Sequence, residues 1–583
     1  MTHSSENEPA AEIARWIAID DEYRAELTAL QESDPAELGR LFDGRIAFGT
    51  AGLRAAMGPG PRQMNRVVVR QTTAGLMDWL PAGAKVVIGY DARHNSNRFA
   101  LDVAEVVAAK GGTAELIDRA APTPILALAV LDQQADAGVM ITASHNPATD
   151  NGYKLYLADG IQLVDPADAE IAAAIDEVAA ASEQTISPAA SGAPVDISAK
   201  ALAAHQKTAL AALMTEHRQV GVLYSAMHGV GGQHLLHCFA AAGFPEPKLV
   251  AEQFEPDPEF PTAPFPNPEE PGAFDLAYAT IERLQSQGDG DVNSGIGRDS
   301  GIDIILANDP DADRLAVGVV DDCGAWVRLS GDEVGALLAD HILRHRPPPA
   351  GSSIADPAIM ASSIVSSRFI DRLAASAGVE SVRTLTGFKW VARPIVDRPD
   401  ERFLLGYEEA LGYCIGDRVR DKDGISAALV MAELAAECKA EGITVYDRLN
   451  QIVERHGLFA TSQVTVSIAK LDDAGRDAAK SRAVSLEPEA VGGVAVQSRV
   501  DLSLGETLPP TSGVVLNLAD GSRVIVRPSG TEPKIKAYLE VIEEIQAGEP
   551  ESSGRAENAK EARRRAELRL KDLASAIETL LTS

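Results

Sequence analysis

Along the chain, short apolar runs end in loops rich in glycine and charge, then give way to alanine-rich stretches of helical pattern. AKVVIGYDAR (Ala84 to Arg93), AGVMITASHNP (Ala137 to Pro147) and VGVLYSAMHGVGG (Val220 to Gly232) are three such units. GIDIILANDPDADR (Gly301 to Arg314), RFLLGYEEALGY (Arg402 to Tyr413) and VIVRPSGTEPK (Val524 to Lys534) follow. Runs of about four to six residues that are apolar on both faces predict buried strands of α/β layers. In such sheets ligands gather at the carboxyl ends of the strands, where this chain carries its unusual residues.

Three polar stretches interrupt the pattern. Ala181 to Lys200 is rich in Ser, Ala and Pro and predicts a linker between a first and a second unit. Ser286 to Gly301 reads as a polar, Gly-rich surface insertion, and Ala547 to Glu567 begins as a loop and ends in a charged helical run. The RRR inside that run (Arg563 to Arg565) predicts a solvated helix face. The residues before about Arg45 read as an amphipathic helical extension. The strand–loop–helix units suggest related domains without a strict sequence period. The length of 583 residues, at roughly 150 residues per domain, suggests about four.

Charge narrows the choice of partner. Lys and Arg number 53 against 85 Asp and Glu, a formal charge of −32, and a field of that sign repels nucleic acid and anionic lipid. An anionic substrate therefore requires basic residues gathered locally. Cys238, Cys323, Cys414 and Cys438 are scattered and make neither a disulfide framework nor a zinc spacing. The polar, acidic N-terminus has no secretory pattern and no apolar run approaches about 18 residues, so a cytoplasmic protein without a membrane span is expected.

Three loops carry the candidate chemistry. DPDADR places Asp309, Asp311 and Asp313 at alternate positions after a buried strand. In extended chain they point the same way and converge on one hard cation, and an oxygen-only set favours magnesium over zinc. An EF-hand would need Gly where Arg314 stands and Glu where Val320 stands, so it fails. TASHNP puts Ser144 beside His145 directly after a strand, as a nucleophile, a phosphate carrier, a cap or a turn residue; no GxSxG elbow surrounds it. RPSGTEP joins Arg527 to Ser529, Gly530 and Thr531, the elements of an anion nest with a bidentate cation. FGTAGLR ends in Arg54, NGYK in Lys154, and TGFKW contains Lys389, each a weak signal alone. GYEEALGY offers Glu408 and Glu409 as acceptors for sugar hydroxyls, or as an exposed acidic turn, while His228 reads as a packed turn residue.

Taken together and in this order, the loops resemble the α-D-phosphohexomutase superfamily, from about Arg45 to Glu540. The resemblance implies three related α/β domains and a smaller C-terminal α+β domain around a cleft. The corresponding division here is a helical extension over 1–44 and domains over 45–195, 196–325, 326–455 and 456–583. It implies Ser144 as phosphoserine and as a magnesium ligand with Asp309, Asp311 and Asp313. By the same resemblance Arg54 and Arg314 lie near the transferring phosphoryl group, and Lys154 and His145 are proton-transfer candidates. Lys389 and Glu408 hold the sugar, and Arg527, Ser529, Gly530 and Thr531 clamp the distal phosphate.

The implied activity is a phosphosugar mutase interconverting the 1- and 6-phosphates of glucose or mannose through a sugar bisphosphate, which also serves as activator. Many hexose mutases carry Glu-x-Ser in the sugar loop; here the positions read Glu408, Glu409, Ala410. That form resembles the subgroup containing phosphopentomutases and sugar-bisphosphate synthases, so ribose phosphate is the alternative substrate. A phosphatase or a non-catalytic phosphosugar-binding protein are the readings outside this class.

Overall fold

The structure, a computed structural model, describes residues 7–46, 52–181, 193–287, 301–347, 357–506, 508–529, 533–545 and 552–582. Most of the linker and of the polar insertion, together with Phe48–Ala51, Gly530 and Thr531, lies outside the described residues. The predicted strands are present at Lys85–Tyr90, Ala137–Ile141, Val222–Ser225, Ile304–Ala307, Arg402–Glu408 and Arg523–Pro528. The first five are buried over nearly their whole length, because parallel strands are covered on both faces by helices.

The described strands form four sheets. The first runs Leu53–Ala56, Asp150–Leu157, Ala137–Ile141, Lys85–Tyr90, Thr113–Ala120, Val195–Asp196. Its last four strands are parallel and its first two antiparallel. The second and third sheets repeat that plan, a parallel centre with an antiparallel edge. The fourth is antiparallel throughout, from Leu458–Ser467 to Ala490–Val491. Its strand Arg523–Pro528 thus differs from the parallel layers that its apolar run suggested. The fold is three α/β domains and a C-terminal α+β domain. The first sheet extends to Asp196 and the second to Arg328, slightly beyond the breaks read from the sequence.

The N-terminal residues form helices Asn7–Ile19, Arg24–Ser33 and Pro35–Leu41 that belong to the first domain's core. Trp16 meets the Phe42 ring edge-on at 5.7 Å, and Leu27 is fully buried, a contribution of about 1.5–3 kcal/mol from that side chain alone. The C-terminal helix Ser552–Thr582 lines the fourth sheet's core with Ala562, Ala566, Leu573 and Ile577. Of the three consecutive arginines, Arg564 pairs with Glu561 on the same helix. Arg563 instead reaches Glu333 at 3.1 Å and lies over the Tyr446 ring, so that face is only partly solvent-facing.

Local chemistry sets the helices that flank the cleft. Asn65 caps Arg66–Trp79 through Val68 N–H, and Asp423 caps Gly424–Glu441 through the N–H groups of Ile425 and Ser426. Ser330 and Glu333 form a reciprocal capping box on Gly331–His345. Among the described residues no helix is long and apolar enough to cross a membrane.

Candidate functional site

The Asn308–Arg314 loop is the centre of the site. Asn308 holds its ends: the amide donates to the Arg314 carbonyl at 2.6 Å and accepts from the Tyr224 hydroxyl at 2.9 Å. Ala312 N–H donates to the Asp309 carbonyl at 2.9 Å and Ala312 adopts φ 55°, so the segment is a tight turn. The three aspartates do converge, with carboxylate oxygens within 4.8 Å of one another. Their convergence comes from this left-handed turn and not from the alternation of an extended chain. Glycines press on the loop from two sides. A Cβ on Gly229 would stand 2.3 Å from Pro310 Cα, and one on Gly424 would stand 2.3 Å from the Arg314 carbonyl.

All three aspartates are buried. Lys154, on the strand Asp150–Leu157, donates to Asp311 at 2.7 Å and to Asp313 at 2.9 Å. Lys422 lies 3.1 Å from Asp313, and Thr123 donates its hydroxyl to Asp311 at 2.6 Å. Burial opposes ionisation of Asp313, but Lys154, Lys422 and Arg314 outweigh it and hold the carboxyl far below its usual range. Burial, then Asp313 and Asp311, push Asp309 well above that range. The set is thus short of positive charge at Asp309, and Asp311 Oδ1 and Asp313 Oδ1 are buried with no protein partner. Converging oxygens left unpaired beside an under-compensated carboxylate fit a divalent cation.

Ser144 stands against this cluster. The strand Ala137–Ile141 ends just before it, and it adopts φ 53° with its side chain buried. Its hydroxyl donates to Asp309 at 3.0 Å and lies 3.2 Å from His145 Nδ1. Burial, then Arg314 and Arg54, hold the His145 imidazole well below its usual pKa. Burial works against the Lys154 ammonium, but Asp311 and Asp313 outweigh it and raise its pKa. Arg54 reaches the Asn146 side chain at 3.3 Å and keeps a buried Nε unpaired. Arg314 pairs with Glu269 at 2.9 Å.

Sequence reasoning missed what shapes the serine loop. Arg93 donates to the carbonyls of Ser144 at 2.6 Å, Asn146 at 2.5 Å, Pro147 at 2.7 Å and Asp150 at 3.2 Å. Asp91, 3.3 Å from Arg93, accepts from the Thr142 hydroxyl at 2.6 Å, and Thr142 Oγ1 accepts from Ser144 N–H at 2.8 Å. The available signal was position, since Asp91 and Arg93 follow a buried strand as Ser144 and Asp309 do. Lys422 was likewise passed over in the charged segment after the hairpin.

The distal residues form a second group. Glu408 ends the strand Arg402–Glu408 and accepts from Gly387 N–H at 2.6 Å. Glu409 accepts from the hydroxyls of Ser366 at 2.8 Å and Ser363 at 3.1 Å; burial, then Glu408 and Asp332, push its pKa up to about 7. Lys389 lies two residues beyond Gly387, yet its ammonium donates to the Leu163 carbonyl at 2.9 Å and so faces the first domain. Arg527, opposite Lys536 in the fourth sheet, donates to the hydroxyl of Thr386 and is 3.4 Å from that of Thr511. Ser529 N–H donates to the Lys534 carbonyl at 2.9 Å, while Gly530 and Thr531 lie outside the described residues. His228 is packed as expected, with Nε2 at 2.7 Å from the Thr262 hydroxyl.

Comparison with known proteins places this arrangement. Profiles of the phosphoglucomutase/phosphomannomutase family match in four blocks: alpha/beta/alpha domains I, II and III over residues 45–182, 202–324 and 330–456, and the C-terminal domain over 477–549. The chain is 40% identical over 485 residues to a probable phosphomannomutase from Haemophilus influenzae, covering 82% of this chain and 93% of that one. It is 33% identical over 585 residues to the phosphopentomutase of Homo sapiens, covering 93% and 92%. The crystal structure of a putative phosphomannomutase from Thermus thermophilus shares the fold, with a TM-score of 0.65 at 21% identity over 93% of this chain and 100% of that one. Four matched domains that bring a strand-end serine onto an aspartate triad have one family to answer to, and the chain belongs to the phosphoglucomutase/phosphomannomutase family as a phosphomutase.

Proposed function

We propose that the protein interconverts the 1-phosphate and 6-phosphate of a hexose, glucose or mannose, with Ser144 as the phosphate carrier. The observation that carries this reading is the Ser144 hydroxyl, buried and 3.0 Å from Asp309, in a pocket where Lys154, Arg54 and Arg314 gather against the chain's overall charge of −32. Asp309, Asp311, Asp313 and Ser144 would hold Mg²⁺, which when bound supplies positive charge to the phosphoryl oxygens.

In transfer out of the enzyme, the bond from phosphorus to Ser144 Oγ breaks as one to a free sugar hydroxyl oxygen forms. The hydroxyl proton passes to a neighbouring base: His145, whose lowered pKa leaves a neutral imidazole, is the candidate acceptor, and Lys154, held as an ammonium by Asp311 and Asp313, is the candidate proton donor. The product is a sugar bisphosphate; after it turns in the cleft, its other phosphate returns to Ser144. The same bisphosphate, supplied from outside, phosphorylates an empty Ser144 and so acts as activator. Arg527, with Ser529, Gly530 and Thr531, holds whichever phosphate is not reacting, and Glu408 and Lys389 are assigned to the sugar.

Support for a six-carbon sugar is the 40% identity to a protein named a probable phosphomannomutase. Pentose phosphate is the second reading. It is favoured by the loop Glu408, Glu409, Ala410, which has no hydroxyl, and by similarity to a phosphopentomutase across 93% of the chain. Parallel turnover assays on glucose 1-phosphate, mannose 1-phosphate and ribose 1-phosphate, each with Mg²⁺ and a trace of the matching bisphosphate, decide between them. Higher kcat/KM on a hexose is the expected result. Preference for ribose 1-phosphate overturns the sugar assignment and leaves Ser144 in its role.

The clamp has its own signature. Arg527→Ala removes a guanidinium that donates to Thr386 and that the proposed mechanism assigns only to the non-reacting phosphate. A lost charge-assisted bond of about 1.5–3 kcal/mol raises KM for the phosphosugar about 10- to 100-fold, with kcat within a few-fold of wild type. Collapse of kcat at unchanged KM would show that Arg527 acts in the transition state or in reorientation.

A further inference from the structure

Away from the cleft, the last turns of two helices bring together side chains that the mutase chemistry does not use. His341 and His345, four residues apart on Gly331–His345, share one helix face. Glu437 faces them from Gly424–Glu441, about 20 Å along that helix from Gly424 and the Asp309 loop. His341 Nδ1 is 3.2 Å from one Glu437 oxygen and His345 Nε2 is 3.0 Å from the other. The three donor groups lie within 4.8 Å of one another.

Two further features mark this as a built cation pocket. The far nitrogen of His341, Nε2, lies 3.0 Å from Glu433, which fixes the ring. Glu433 is itself held by the backbone N–H groups of Met214 at 2.9 Å and Thr215 at 2.6 Å. A carboxylate behind a histidine, aiming its other nitrogen inward, is the outer support that metal-binding imidazoles use. In addition, a cation already stands among the three donors. The Arg344 guanidinium donates to both Glu437 oxygens at 2.9 and 3.2 Å, and its NH2 and NH1 nitrogens lie 3.3 Å from His341 Nδ1 and 3.4 Å from His345 Nε2. Arg344 Nε is separately anchored to Asp340 at 2.8 Å.

We propose that His341, His345 and Glu437 form a second metal site, of the two-imidazole, one-carboxylate kind suited to zinc, with Arg344 as the internal occupant that the ion displaces. The donor set differs in kind from the oxygen-only aspartate triad, and imidazole nitrogens select zinc-class ions over magnesium. Loading places the ion on His341 Nδ1, His345 Nε2 and Glu437, expels to solvent any proton that Nδ1 shares with Glu437, and lets Arg344 turn outward about its Asp340 anchor. Side-chain exposures of 24% for His345 and 23% for Arg344 leave the donors open to solvent, from which the ion would enter and a water would come as fourth ligand. Through Glu433 the ion stiffens the joint between the second and third domains.

Calorimetric titration with Zn²⁺ alone tests the site in the full chain carrying Asp311→Asn, which disables the triad. About one equivalent binds, and Zn²⁺ raises the Tm by a few degrees, reversed by a chelator. Adding His345→Ala, on a partly exposed last turn where the fold is retained by circular dichroism, lowers the affinity at least about 30-fold and abolishes the Tm shift. Arg344→Ala raises the affinity about tenfold or more by removing the competing cation. Absence of binding in the Asp311→Asn chain, binding indifferent to His345→Ala, or binding seen only after Arg344→Ala each overturns the proposal.

Discussion

Ser144→Ala lowers mutase turnover by at least about 10⁴-fold, the scale seen when a covalent carrier is removed, in a protein that still folds. The fold survives because the loop is held by its backbone. Arg93 grips the Ser144 carbonyl at 2.6 Å and Thr142 takes its N–H at 2.8 Å, neither through the hydroxyl. Losing Oγ removes one bond to Asp309, whose other oxygen keeps the Arg314 N–H at 3.0 Å. That costs about 0.5–1.5 kcal/mol, or a fall of a few degrees in Tm. In the proposed mechanism the chemistry has no substitute, since a phosphoserine carrying about −1.5 to −2 charge would be the group that Arg54, Arg314 and Lys154 balance. The check is turnover with bisphosphate present, together with mass spectrometry of the Ser144 peptide after exposure to bisphosphate. Phosphate on that peptide in wild type alone, with turnover lost in the variant, is the expected pair. Turnover within tenfold of wild type excludes Ser144 as carrier.

What the sequence disclosed and what it hid divide along a physical line. The strand ends were legible, because buried parallel strands need an unbroken apolar run and the polar residues that follow it stand out. Ser144, Asp309 and Glu408 were singled out in this way, and Arg527 by a similar apolar run in a strand that is antiparallel. The convergence of the three aspartates was anticipated for the wrong reason: alternation requires extended chain, whereas the loop turns sharply at Ala312 with φ 55°. Such a turn depends on Gly229 and Gly424 pressing in from other segments, a contact between parts of the chain far apart in sequence. Tertiary partners were hidden for the same reason. Lys422 reads as one more charge in RVRDKDG, and only the folded chain puts it 3.1 Å from Asp313. Lys389 could be placed in its turn beside Glu408, but not the reach of its ammonium to the Leu163 carbonyl. The N-terminal helices were legible as amphipathic, yet their burial in the first domain's core required knowing which face that domain leaves open.

Arg93 is where the hidden part has its largest consequence. Arg93→Ala destabilises the protein by about 3–5 kcal/mol, because Asp91 is left as a buried carboxylate without its cation. It also strips the hydrogen-bond donor from four carbonyls of one loop. The expected fall in Tm is on the order of 10 °C. Turnover falls by about 10²-fold or more, since Ser144 sits at φ 53° within the loop that Arg93 holds, and misplacing a reacting group by about 1 Å costs that much. Arg93→Lys separates the two effects. A lysine keeps a positive charge beside Asp91 and restores most of the stability. Its three donors spread from a single nitrogen cannot reproduce a planar fork that reaches Ser144 and Asn146 with one arm and Pro147 and Asp150 with the other. The lysine variant should therefore melt near wild type and still turn over slowly, with kcat reduced and KM nearly unchanged, because Arg93 positions the carrier and does not bind the distal phosphate. If kcat and Tm recover together in Arg93→Lys, charge compensation of Asp91 is the whole of its role and the geometry of the serine loop is set elsewhere.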